Sequence, residues 1–274
     1  MEEILKSFIE TNLKNMDLFT DEIYSQLSTN LWTASNVYYK TAMDIRGIIE
    51  PIALTIVGIC FLIEFLKITI NMDVLKYEYM LKCFFKLVFA KVCINISFDL
   101  MAAIYATAIE WVTGIKDPSN FQMGAVIWDN IKGDIGNYGM LQLVAIMISS
   151  GIMLIAAELC CLMVLVTVYA TLFELTVYMA ISPLPCAFLP LEDSGASRIP
   201  KKFFFNYAGI CLHLVFIAIC LNLYVNLCDS IILTNQLMTW EVFIAFPKVL
   251  LVTLVFMMAV TKSGSWAQRI FDAA

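Results

Sequence analysis

The chain has 274 residues and a formal charge of −6; 61% of it is hydrophobic, only 15% is charged, and its mean hydropathy is +0.83. Soluble domains average about 25% charged residues, so a water-soluble globule is excluded: too little polar surface exists to cover the apolar content. The modest negative charge, unevenly spread, also gives no general nucleic-acid-binding surface.

Residues 1–47 are polar overall but place Ile4, Phe8, Ile9, Leu13, Met16, Phe19, Ile23, Leu27 and Leu31 at steps of mostly three or four. That spacing predicts an amphipathic helical segment with acidic residues on its other positions. Trp32, Tyr38 and Tyr39 follow it and read as aromatic anchors at a membrane interface. The segment is expected to lie along the membrane surface or against a partner. It lacks the basic start, short apolar stretch and cleavage site of a signal peptide, so the first spanning helix is expected to direct insertion.

From residue 48 to 262 the apolar residues come in runs about as long as a helix needs to cross a hydrocarbon core, roughly 20 residues. Within lipid every backbone N–H and C=O must be paired inside the protein, which leaves helices or a closed barrel. Barrel strands alternate in hydropathy over about ten residues, whereas these runs are continuous. The fold class is therefore all-α, a polytopic membrane protein.

The first span is read at about Ile48 to Ile70, with Pro51 near its start, where the missing N–H costs least. After a polar link holding Lys76 and Lys82, the second covers about Phe84 to Val112. Residues 113–138 carry Gly114, Pro118, Gly133, Gly136 and Gly139 among Asn and Asp, which is loop chemistry, with a possible short interfacial helix at Phe121 to Trp128.

The stretch from Met140 to Leu189 would measure about 75 Å as one straight helix, more than twice the hydrocarbon thickness. It is expected either to fold back near Glu158, or to span once while the remainder is re-entrant, tilted or beyond the bilayer. Its sharpest break is Ser182-Pro183-Leu184-Pro185, with Pro190 beyond, where missing donors should kink the chain. A basic link at 190–202 ends in Arg198, Lys201 and Lys202 and leads to a span from about Phe203 to Leu227. The last span runs from Trp240 to about Val260, followed by a short tail at 263–274.

Lysine and arginine crowd the links holding Lys76, Lys82 and Lys86 and holding Arg198, Lys201 and Lys202, while the 113–138 loop and the turn before Trp240 are poor in them. Positive residues mark cytoplasmic links. That requires an odd number of crossings through 140–189: about five passes in total, N-terminus outside and C-terminus cytoplasmic. Six passes are the alternative.

Lys91, Asn95 and Asp99 recur at i, i+4 and i+8 on one helix face, with Ala102, Ala103 and Ala106 just beyond. Ionised groups at mid-membrane are costly unless paired or hydrated, so the three are expected to face protein or water and to compensate one another in part. They read either as the lining of a path for an ion, proton or substrate, or as contacts between helices made close by the alanines. Glu158 and Glu174, 16 positions apart, lie about 24 Å apart on an unbroken helix and are not a carboxylate pair; each needs a partner, with Lys91 and Lys248 as candidates. Asn222, Asn226 and Asp229 form a second polar stripe. His213, the single histidine, reads as a buried, hydrogen-bonded imidazole.

Nine cysteines without a Cys-x-x-Cys pair read as buried free thiols. No phosphate loop, nucleophile elbow or zinc-protease helix is present. No catalytic residue, cofactor or metal is therefore expected, and the chain reads as no enzyme. Lys76, Lys82, Lys86, Arg198, Lys201 and Lys202 form a candidate cytoplasmic basic surface, which orientation alone explains without DNA contact.

The order of these elements resembles a known family. A polar extracytoplasmic helix, then IIEPIALTIVGICFLIEFLKI, then LKCFFKLVFAKVCINISFDL, and later MAISPLPCAFLPLEDSG before a basic link are similar to the TrbL-like polytopic membrane subunits of conjugative type IV secretion systems, especially those of Gram-positive integrative and conjugative elements. The resemblance covers most of the chain and brings no invariant catalytic residues. It implies a homo-oligomeric platform or channel subunit in the bacterial cell membrane, working beside other secretion subunits and separate ATPases that move DNA. Many relatives carry a long soluble tail where this sequence ends soon after its final span. A stand-alone secondary transporter using Lys91, Asp99, Glu158 and Glu174 is the competing reading.

Overall fold

In a computed structural model, residues 2–70, 77–115, 139–191, 198–233 and 242–272 are described. They form seven helices and, among the described residues, no strand: α1 Glu2–Ser28, α2 Val37–Ile70, α3 Tyr77–Gly114, α4 Met140–Ala180, α5 Pro183–Cys186, α6 Arg198–Leu233 and α7 Val242–Asp272. Five are long and apolar enough to cross a membrane, over Val37–Lys67, Met80–Gly114, Met147–Cys186, Arg198–Cys228 and Pro247–Phe271. The 113–138 loop beyond Ile115, its possible helix at Phe121 to Trp128, Lys76, and the part of the basic link at 192–197 lie outside the described residues.

The long apolar stretch is settled by α4, one uninterrupted helix through Glu158. It contains no glycine–proline or asparagine–glycine turn at which to fold back, so the hairpin is excluded. At 41 residues it measures about 60 Å, roughly twice the hydrocarbon core. The break falls where the prolines stand. After Ala180 the chain turns through Ser182 into the single-turn helix α5, then through consecutive turns to Leu189. Pro183 and Pro185, with Pro190 beyond, end α4 outright where the sequence predicts a kink.

Three other boundaries differ from the hydropathy reading, and for one reason: a helix continues wherever its backbone bonds can be made, regardless of whether its side chains are apolar. The first spanning helix begins at Val37, ahead of Ile48, so Pro51 lies inside it and deprives the carbonyl of Gly47 of its usual donor. Arg198, Lys201 and Lys202, read as link, are the first turn of α6, with Pro200 at a position where its missing N–H is cheap. The final helix runs on from Val260 to Asp272.

The chain divides into two compact units: Met1–Thr29, Ile109–Ala170 and His213–Trp266 make the first, and Asn30–Ala108, Thr171–Leu212 and Ala267–Ala274 the second.

In the first unit, α1 buries Met16, Ile23 and Leu27 of the stripe its periodicity predicts, together with Thr20, while Ile4 at its start is exposed. It lies along α4. The ring of Phe8 sits where a side chain on Gly151 would meet it at 3.1 Å, Asn15 reaches Glu158, and Tyr169 reaches Glu22. Both residue series ascend together, so the two helices run parallel. The buried side of the N-terminal segment thus packs on this chain's own α4. The stacked rings of Tyr224 on α6 and Phe256 on α7, 4.7 Å apart, join the last two helices.

In the second unit, α2 and α3 run antiparallel. Ala53 and Val57 share a buried cluster with Ala90 and Ile94, and the short α5 adds Cys186 and Ala187 to it. The small residues let these backbones approach closely. Trp32 and Tyr39 pack on α3: Trp32 edge-on to Phe98 and Tyr105, Tyr39 edge-on to Phe98. Edge-to-face geometry with protein rings accounts for their position. Phe205 of α6 stacks on Phe271 at the end of α7, which holds the helical continuation past Val260.

Candidate functional site

The α3 face that carries Lys91, Asn95 and Asp99 turns away from the protein. All three residues are exposed, as are Ala103, Ala106 and Glu110 further along the same side, while Ile94, Ser97, Met101 and Tyr105 are buried behind them. Among the described residues, the Lys91 and Asp99 side chains form no ion pair or hydrogen bond. The expected compensation within the stripe is absent because eight helical positions separate the two charges by about 12 Å along the axis. The middle of the stripe is engaged through its backbone, where Arg46 of α2 donates Nη2–H to the carbonyl oxygen of Asn95 at 3.0 Å.

Arg46 was not picked out in the sequence, where it falls within the polar N-terminal segment. It is the best-held charge near the stripe. Its guanidinium lies 3.8 Å from the Glu50 carboxylate, one helical turn on, and 5.2 Å from the centroid of the Phe98 ring. The side chain is only 13% exposed. The Arg–Glu spacing of i, i+4 is the signal that marks it.

On the opposite side of α3 a polar contact closes the core. Ser97 and Ser182 face each other with hydroxyl oxygens 3.2 Å apart, both residues buried. Ser97 also donates to the Ile94 carbonyl at 2.8 Å, tying the turn after α4 to the middle of α3. Glu64 and Lys67 form an i, i+3 pair at 3.7 Å, with Glu64 buried and Lys67 partly exposed.

The remaining intramembrane residues are dispersed. Glu158 is half-buried and accepts a hydrogen bond from Asn15 Nδ2 at 3.2 Å, so its partner is an amide on α1 and neither Lys91 nor Lys248. Glu174 is exposed on the unbroken α4, four and a half turns from Glu158. Asn226 donates to both the backbone and side-chain oxygens of Asn222, each at 2.8 Å, a local helix pair; the side chain of Asp229 lies outside the described residues. His213 is half-buried, with Nε2 3.5 Å from the Val260 carbonyl and its ring against Gly264. All nine cysteines are free and all but Cys93 and Cys220 are buried. Among the described residues no three His, Cys, Asp or Glu groups gather as a metal site.

The basic residues lie at helix starts. Arg198, Lys201 and Lys202 are exposed on the first turn of α6, where Lys201 stands 5.3 Å over the Phe205 ring. Lys82 is exposed and Lys86 half-buried near the start of α3.

Five long apolar helices with few and dispersed charged groups define a polytopic α-helical membrane protein. Residues 28–183 match the family described as TrbL/VirB6 plasmid conjugal transfer like protein. The match covers more than half of the sequence, and the chain belongs to that family. Comparison with curated proteins and with solved structures gave no match.

Proposed function

We propose that this chain is a non-enzymatic, homo-oligomeric platform or channel subunit of a conjugative type IV secretion apparatus. The observation that carries the reading is the outward-facing stripe of Lys91, Asn95 and Asp99 on a helix of membrane-spanning length. Charges facing lipid at that depth are costly, and a neighbouring subunit or water removes the cost. Exposed Ala103 and Ala106 beside the stripe suit close helix approach. A subunit built this way is incomplete alone, as expected of an assembly component whose energy comes from separate ATPases.

Orientation follows from charge. With the Lys82 and Lys86 end of α3 and the Arg198 to Lys202 turn of α6 in the cytoplasm, the N-terminus lies outside and the C-terminus inside. The basic turns are accounted for by this orientation, so contact with transferred DNA is not required of them. A stand-alone transporter would need its acidic residues on one path; Glu158 is engaged by Asn15, and Glu174 lies about 24 Å along the same helix.

Deletion of the chain in a donor strain, complemented in trans, tests the reading. Transfer should fall by several orders of magnitude and return with the wild-type copy. Photo-crosslinkers at Asn95 and Ala103 should trap dimers of the chain in membranes. Normal transfer without the protein, or crosslinks that never join two copies, would overturn it.

A further inference from the structure

Two opposite charges in the second unit stand at one height on different helices. Ser97 of α3 meets Ser182, and Tyr178, one helical turn before Ser182, stacks on Phe203 of α6 at 5.0 Å. Phe204 packs on the buried cluster that holds Ala90, Ile94 and Cys186. Asp99 follows Ser97 by two residues and Lys202 directly precedes Phe203, so the two lie level along the helix axes to within about one turn, roughly 5.4 Å. Both are exposed, and among the described residues neither side chain forms an ion pair or hydrogen bond.

Asp99 lies within the span Met80–Gly114, where a carboxylate needs a cation or water. The cation packed beside the stripe is already engaged, because Arg46 is held by the Asn95 carbonyl, the Glu50 carboxylate and the Phe98 ring. On the first turn of α6, Lys201 stands over Phe205, which leaves Lys202 and Arg198 as its outward cations.

Symmetry decides which face of a second copy can meet Asp99. Copies of one membrane protein insert in the same orientation, and rotation about the membrane normal keeps every residue at its own height. A contact of α3 with α3, the same face on both sides, would therefore set Asp99 against Asp99 and Lys91 against Lys91. Like charges so placed repel. A contact of the α3 stripe with the start of α6 sets Asp99 against Lys202 with no change of height.

We infer that the α3 stripe of one copy docks on the first turn of α6 in the next, with Asp99 paired to Lys202, so that copies join head to tail around a ring. This pairing rests on the oligomeric subunit proposed above and specifies which two faces meet. Exposed Ala103, one turn beyond Asp99, permits the close approach. Arg198, exposed on the same turn as Lys202, keeps the receiving face cationic. Each copy offers one face to each neighbour, the heterologous arrangement that closes into rings.

Carbodiimide, which joins a carboxylate to an amine in direct contact, tests the pair in the wild-type chain. Applied to membranes, it should give dimers, trimers and larger species on denaturing gels, and mass spectrometry of the dimer band should find Asp99 joined to Lys202. Asp99→Lys and Lys202→Asp, each alone, should lower photo-crosslinking between copies at Ala103 by about tenfold or more. Combined in one chain they should restore it to within about threefold of wild type, with unfolding temperatures in detergent close to wild type throughout.

Copies that crosslink at Ala103 but yield no Asp99–Lys202 amide, and no rescue in the double variant, would overturn the pairing and leave the assembly standing. An amide found only at monomer mass would place the pair within one chain and overturn it equally. A chain that never crosslinks to itself would sink the underlying assembly. Because the carbodiimide result uses the unaltered chain, it decides the matter even where a variant fails to fold.

Discussion

Asn15 donates its side-chain amide to Glu158 across 3.2 Å, so the only acidic group in the first 34 residues of α4 is held by the N-terminal helix. Without that donor a half-buried carboxyl must recover water. Asn15→Leu should cost about 1–3 kcal/mol, the price of an unsatisfied polar group. Glu158→Gln keeps an acceptor oxygen and should cost less, and Asn15→Leu combined with Glu158→Leu should recover part of the loss. Unfolding in detergent, followed as a double-mutant cycle, measures the coupling; a value near zero would refute the contact.

The seat of Phe8 gives a steric counterpart. A methyl group on Gly151 would come within 3.1 Å of the ring, so Gly151→Val should displace α1 and destabilise the protein by about 1–3 kcal/mol through overpacking. Phe8→Ala in the same chain should restore the docking. Protease sensitivity of the first 28 residues reports it; equal sensitivity in Gly151→Val and wild type would contradict the packing.

Ser97 and Ser182 differ in kind, being two hydroxyls that satisfy each other inside the protein. Either serine changed to alanine should cost roughly 1 kcal/mol, and the double replacement should cost little more than one of them, because no orphaned partner is left. Additive losses in thermal unfolding would mean that the hydroxyls act separately.

The exposed stripe predicts a separation between folding and assembly. Lys91→Glu and Asp99→Lys alter exposed side chains that, among the described residues, form no ion pair or hydrogen bond, so stability in detergent should change by less than about 0.5 kcal/mol. Self-crosslinking at Ala103 and conjugative transfer should both fall at least tenfold. Loss of stability with assembly intact would be the opposite of this expectation.

Much of this architecture is legible in the residues. Runs long enough to cross a bilayer announce five helices, the steps of three and four in residues 1–31 announce the buried face of α1, and Ser182 to Pro185 announces the end of α4. Helix limits were harder to read because hydropathy registers the solvent of a segment, while the backbone keeps its hydrogen bonds through polar residues such as Asp44, Arg46 and Lys262. Pairings were harder still. Nothing local to Glu158 points to Asn15, more than 140 positions away, and the stripe at Lys91 reveals its spacing but not which way it faces. Orientation is a property of tertiary packing, and here the packing turns it outward.

The parallel course of α1 and α4 carries a geographical consequence. The beginning of the protein and Gly139 therefore belong to one shore, whichever compartment that shore borders. An epitope placed ahead of Glu3 and another beside Gly139 should be reached by the same antibody from the same side of an intact cell, or by neither.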